Sequence, residues 1–332
     1  MWWLETQKPD IEGERGASGV LVAVMVLVLL GVGAMAVDVG QIYAERAELQ
    51  NAADAGALAG ADLCSAVGGC TQADANVVAN ALADQNSKDG NSNVRFVDLA
   101  VPGEVTVSTS TINAANGSGF LTKLFANALN VTDVGVGATA TANWLYPTTG
   151  RSVLPLTFAT CEFIEDGLPH KILTQGGGGG AEDCNGRNPS NQIIPGGFAW
   201  LAPDGNTGCN VTAEVGEWSQ TSAGASMPIG CGSLFNSSLV GQTVAIPVYA
   251  YTCKDVFTPC SGNNVQYMIE KWAGFEVQGW EFPGNTYDPG NVFTDSEKGL
   301  YGTFVGYAAD PSLFTGGSST PNGNVVILGL KK

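Results

Sequence analysis

The sequence contains a single histidine, His170, and no run of lysine and arginine. It lacks the GxSxG, HExxH and CxxC patterns. A Ser-His-Asp arrangement would therefore depend on His170, which stands beside a turn in DGLPHK. Zinc sites want close cysteine pairs or added histidines, so metal thiolates find little support. Charged residues make up 14%, against about 25% in an average soluble domain. The charges are also unbalanced, with 14 Lys and Arg against 31 Asp and Glu, a net charge of −17. Such a surface repels phosphate backbones and argues against nucleic acid as a partner.

Glycine is abundant at 45 residues, and Asn, Ser and Thr are frequent. That composition favours turns and polar strands over helical bundles. A chain of 332 residues is long enough for two domains with their own cores. Eight cysteines, Cys64, Cys70, Cys161, Cys184, Cys209, Cys231, Cys253 and Cys260, all lie beyond an apolar run. An even number in this position predicts disulfides formed in an oxidising compartment. Sequence neighbours suggest Cys64–Cys70, Cys161–Cys184, Cys209–Cys231 and Cys253–Cys260, but spacing alone leaves the connectivity open.

No residue between Arg15 and Asp38 is charged. About 20 apolar residues span a hydrocarbon core, so this stretch is long enough to cross a membrane. A cleavable secretory signal is the competing reading, with Val20 to Leu30 as its core and Ala34-Met35-Ala36 as its cut. Against it, Glu5, Asp10, Glu12 and Glu14 outweigh Lys8 and Arg15, and a signal peptide begins basic. The residues after the run also speak for continuity, since DVGQIYAERAELQNAADAGALAGADL has no proline and is dense in helix formers. Val39, Ile42, Leu49, Ala53 and Gly56 fall on one helical face. The expectation is one helix from about Gly16 to Asp62, roughly 70 Å long, with roughly its first 30 Å in lipid. From Ala52 to Ala61 all residues but Asp54 and Leu58 are Ala or Gly. Small residues admit another backbone closely, though an Ala-rich helix packing only within its own domain looks the same.

The stretch RGASGVLVAVMVLVLLGVGAMAVDVGQIYAERAELQNAADAGALAGA resembles the N-terminal segment of the TadG-like (TadE/G-like) Flp pilus-assembly proteins. The matching pieces are Arg15-Gly16 before the run and the AVDVGxxY turn-over with Asp38, Gly40 and Tyr43. The third is LQNAADAxALAGA, beginning Leu49, Gln50, Asn51, Ala52, Ala53 and Asp54. The resemblance implies a bacterial, single-pass membrane protein linked to assembly of Tad-type pili. Its implied partners are the lipid bilayer and other pilus-assembly or pilin proteins, with no cofactor. In prepilin-like members a Glu sits five residues beyond a processed Gly; counted from Gly16, that place holds Leu21. Leu21 cannot pair with a neighbouring subunit's new amino terminus, so the resemblance here implies a retained anchor. Some TadG-type proteins carry a metal-dependent adhesion domain with DxSxS, a motif this chain lacks.

Beyond the stalk, Thr71 reads as an N-cap with Asp74 in the first turn, and Ala73, Val77, Val78, Ala81 and Leu82 form a stripe up to about Asn86. Val94–Val101 and Glu104–Ile112 read as strands, Phe120–Leu129 as a short helix, and Val131–Trp144 as a strand. After TTGR helical periodicity fades. Strands are expected at Val153–Thr160, Gly197–Leu201, Val211–Val215, Thr243–Tyr251, Val265–Phe282, Gly299–Tyr307 and Val325–Leu330, in a sandwich or barrel-like domain. The GGGGG at 176–180 lacks the GK[ST] of a phosphate loop and reads as an exposed loop.

The predicted fold is α+β. A cytoplasmic segment 1–16 leads into a transmembrane helix at 17–37. A stalk helix and a small pilin-like α+β domain occupy 38–148, and a mainly β, disulfide-bonded domain fills 149–332. Because disulfides need the outside, the N terminus is expected in the cytoplasm and the bulk outside the cell membrane. The expected role is a non-enzymatic component of Tad/Flp pilus assembly acting through protein contacts. One alternative is an anchored or secreted surface module that binds a glycan or envelope ligand. Trp200, Trp218, Trp272, Trp280, Tyr249, Tyr251 and Tyr267 would supply its face, or else serve as core. Another is a cell-envelope hydrolase using Glu162, Glu165 or His170, although these acids, with Asp166, also read as a solvated patch. No small-molecule substrate is identified from the sequence.

Overall fold

The computed structural model describes residues 17–66, 68–86, 92–111, 135–174, 181–206, 208–222, 226–253, 265–294, 296–318 and 320–331. The expected helix at Phe120–Leu129, the start of the strand from Val131, the GGGGG loop, Arg15, Gly16 and Cys260 lie outside these residues. Helix α1 runs without a break over Ala17–Ser65, 49 residues, or about 74 Å at 1.5 Å per residue. It ends where Gly68 and Gly69 take positive φ, a conformation glycine adopts without a Cβ clash. The Cys64–Cys70 disulfide closes that turn.

Helix α2 spans Gln72–Gln85. Thr71 and Asp74 cap it reciprocally. The Asp74 N–H donates to the Thr71 hydroxyl at 3.2 Å, and the Thr71 N–H to the Asp74 carboxylate at 3.0 Å. The Thr71 hydroxyl also donates to the Asp74 carboxylate at 2.6 Å, and this bond first, then the Thr71 N–H, holds the Asp74 carboxyl below its ordinary pKa. The buried face of α2 differs from the expected one: Ala75, Ala79 and Ala83 are buried, while Val77 is 70% exposed. The cause is close approach. A Cβ on Gly56 of α1 would lie 3.4 Å from the Ala79 backbone, so only small side chains fit between the helices.

Sixteen strands complete the described residues: β1 (Ser92–Asp98), β2 (Glu104–Thr111), β3 (Gly137–Leu145), β4 (Thr149–Ser152), β5 (Leu156–Ala159), β6 (Pro169–Leu173), β7 (Phe198–Trp200), β8 (Val211–Glu214), β9 (Trp218–Gln220), β10 (Thr243–Thr252), β11 (Gln266–Phe282), β12 (Asn285–Tyr287), β13 (Gly299–Phe304), β14 (Tyr307–Ala308), β15 (Phe314–Thr315) and β16 (Val325–Lys331). Of these, β4, β6, β9, β12 and β15 were not expected from the sequence, and the single strand expected at Gly299–Tyr307 is broken into β13 and a separate β14 in another sheet. The unexpected strands are two to five residues long, too short to display a period of their own.

Three sheets result. One has the order β1-β2-β3-β16-β14. The second runs β6-β13-β11-β10-β5-β7, with β9 and β12 also paired to β11. The third is β15-β4-β8. Among the described residues the strand order of each sheet is open, with no closed ring of the kind a barrel needs. The last strand, β16, pairs antiparallel with β3, from Ile327 opposite Leu145 to Lys331 opposite Thr141.

The chain forms two compact units. The first comprises Met1–Gly56, Asn76–Val97 and Val107–Ala140; the second comprises Ala57–Ala75, Asp98–Thr106 and Thr141–Lys332. In the first, Val107 is fully buried, and the buried Thr109 hydroxyl donates to the Leu49 carbonyl of α1. In the second, both faces of the central pair β10 and β11 are covered, as period-two alternation in a near-continuous apolar run requires. Val244, Ile246, Val248, Phe275 and Val277 enter one core, capped by the loop carrying Cys231, Phe235 and Leu239. Ala245, Tyr249, Ile269 and Trp272 enter the other, with Val211 and Ala213 of β8 and Phe314 of β15.

Candidate functional site

Helix α1 changes character along its length. From Val20 to Leu30 every large apolar side chain is exposed. The protein thus leaves an apolar cylinder uncovered, which water penalises and lipid accepts. This helix is long and apolar enough to cross a membrane. Asp38, the first charge after the run, is buried. Further on, burial follows a helical stripe through Leu49, Ala52, Ala53, Gly56, Ala57, Gly60, Ala61 and Cys64. The stripe does not extend back as far as expected, because Val39 is exposed and Ile42 only half-buried.

The family-motif residues therefore divide by face. Leu49, Ala52 and Ala53 pack inward, while Gly40, Tyr43 and Asn51 face away. Gln50 bridges to Asp54 one turn on at 2.8 Å, along the edge of the packed stripe. In the second unit a Cβ on Gly60 would stand 2.9 Å from the Val105 side chain. There too the buried Tyr146 hydroxyl donates to the Ser65 carbonyl at 2.6 Å, satisfying a terminal acceptor of α1. Burial raises the Tyr146 pKa above its ordinary value. Sequence periodicity exposed the stripe; Thr109 and Tyr146 gave no local signal as its partners.

Disulfides join Cys161 to Cys184 and Cys209 to Cys231, with Cα separations of 5.6 and 4.8 Å. Cys253 is also disulfide-bonded. The aromatic residues offered as a binding face are mostly interior: Trp200, Trp272, Trp280, Tyr249 and Tyr267 are buried. Trp218 and Tyr251 are half-buried and meet edge to face.

The acidic patch is not uniformly solvated. Glu162 is partly buried and accepts the Gly197 N–H at 2.7 Å. Burial raises its pKa, opposed by that hydrogen bond and by His170. Burial likewise raises the pKa of Glu165. Asp166 holds the His170 ring at 2.8 Å, and that bond lowers the Asp166 pKa. Among the described residues, no group of three His, Cys, Asp or Glu side chains is placed to hold a metal.

These features define an α+β protein in which a long apolar N-terminal helix precedes a mainly β, disulfide-bonded body. Residues 16–63 match the family model described as Putative Flp pilus-assembly TadE/G-like. The match is confined to the N-terminal segment and ends within α1. No curated protein and no solved structure matches the chain.

Proposed function

We propose that the protein is a non-enzymatic, membrane-anchored component of Tad/Flp-type pilus assembly. Residues 17–37 form the single span, 1–16 stay in the cytoplasm, and the stalk with the domains at 38–148 and 149–332 lies outside. It acts by contact with pilin or other pilus-assembly proteins. One observation carries this reading: the family match falls on the helix whose first half exposes only apolar bulk and whose second half is packed into the folded body. The disulfides support an extracytoplasmic body, since cytosolic thiols are kept reduced. With the large aromatics interior, the glycan-binding alternative loses most of its surface.

Deletion of the gene tests the proposal. Pilus number and surface adhesion are expected to fall and to return on complementation. Complementation by a Leu27→Arg chain is expected to fail, because an arginine at mid-span costs roughly 2.5–3.5 kcal/mol of insertion. Unchanged pilus counts in the deletion strain would refute the assignment.

A further inference from the structure

Two adjoining cavities indent the second unit, of about 320 and about 430 Å³. Arg151, Ser152, Val153, Leu234 and Leu313 line both, so the two form one groove with these residues at its middle. Phe314 and Leu239 floor one end, and Cys209, bridged to Cys231, stands at the other. The walls are apolar and open, with Val153 44% and Leu313 41% exposed. Apolar side chains left to water around a concavity mark a binding surface, unlike the same residues scattered singly.

Arg151 decides the chemistry. In the same unit Lys171, Lys271, Lys298 and Lys331 each hold a carboxylate within 3.5 Å. Among the described residues, Arg151 has one carboxylate, that of Asp204, at 3.9 Å and without a hydrogen bond. Asp204 is already engaged, accepting from the Thr212 N–H and hydroxyl and from the Asn210 amide. The Arg151 fork thus remains available to an outside anion, and its planar donors match a carboxylate in bidentate fashion. Because Arg151 lines both cavities, a carboxylate seated on it has apolar wall to either side.

The geometry points to an extended segment of a partner protein with the pattern apolar–acidic–apolar as the occupant of this groove. Its Asp or Glu sits on Arg151, and its flanking side chains lie against Leu234, Leu313 and Phe314. A fatty acyl chain fits less well, since the open walls would leave much of it in water. The inference adds a partner chemistry to the pilus-assembly reading without depending on it. Peptide binding is measured whether or not pili require the chain.

The test uses the full chain in lipid nanodiscs, dialysed against a pool of acetylated, amidated pentapeptides. Each carries a central Glu flanked by Leu, Val and Phe, and bound peptide is read by mass spectrometry. Saturable binding is expected, with none for the matching central-Lys pool. Arg151→Leu is expected to weaken it about tenfold, and Arg151→Glu further. Leu313→Asp, at an exposed position, is expected to weaken it while thermal unfolding stays as in wild type. Absence of saturable binding, equal binding by the Arg151 variants, or full displacement by decanol, which has no carboxylate, would overturn the inference.

Discussion

Glu162 illustrates how far a residue's setting can depart from its composition. In sequence it belongs to an acidic cluster with Glu165 and Asp166, and acidic clusters are solvated by default. In the fold it sits in a turn tied down by the Cys161–Cys184 bridge, where its oxygen receives the Gly197 N–H. Gly197 comes from a distant part of the chain, so nothing local announced the contact. Burial raises the Glu162 pKa, so the folded state holds that proton more tightly than the unfolded chain. The stability this provides is fully present below the unfolded value of about 4.3 and is lost as pH rises through the folded one. Glu162→Gln keeps an oxygen for Gly197 and removes the buried charge. The variant should melt above wild type at pH 7, and the difference should close near pH 4.5. Asp166 works in the opposite sense: its pKa is lowered, so its contribution is lost only below its unfolded value of about 3.9. Thermal unfolding at the two pH values separates them, and a wild type more stable at pH 7 would contradict the assignment to burial.

The two helices show which patterns a sequence reveals at the scale of an element. An uncharged run, helix formers and no proline were enough to predict α1 as one rod. The face of α2 was missed because a larger apolar residue is the natural guess for a buried position, whereas close packing selected the alanines Ala75, Ala79 and Ala83. The same logic separates two glycines of α1. A Cβ on Gly60 meets Val105 at 2.9 Å, while one on Gly40 meets nothing within 4 Å. Gly60→Leu should therefore cost roughly 1–3 kcal/mol by overpacking. Gly40→Ala should be neutral or stabilise by up to about 1 kcal/mol, since alanine is the better helix former. Denaturant unfolding of both variants in detergent checks the contrast, and equal losses would show that α1 is not held by close approach at Gly60. Thr71→Ala, which removes the α2 cap, should cost about 1 kcal/mol in the same assay.

Across the whole molecule, strand positions were more legible than strand partners. The runs AIPVYAY and AGFEVQGWEF, within the strands expected at Thr243–Tyr251 and Val265–Phe282, carry apolar residues on both faces, the mark of a strand covered on both sides. That β16 would pair with the distant β3 on one side, as well as with nearby β14 on the other, was not visible, because register between distant strands is written in packing rather than in local pattern. Cysteine count predicted a disulfide framework for the same body, and its mechanical consequence is open to measurement. Cys209 and Cys231 are 22 residues apart. Closing a loop of that size restricts the unfolded chain by about 3 kcal/mol. The bridge also fastens the loop of Phe235 and Leu239, which caps one core. Replacing both cysteines by alanine should lower unfolding stability by about that amount without releasing the chain from membranes, because α1 owes its apolar exposure to no bridge in the body. Urea unfolding and carbonate extraction of the same variant read the two effects separately. A loss below about 1 kcal/mol would mean that packing of Phe235 and Leu239 holds the loop by itself. Release into the soluble fraction would mean that the body, and not α1, retains the protein at the membrane.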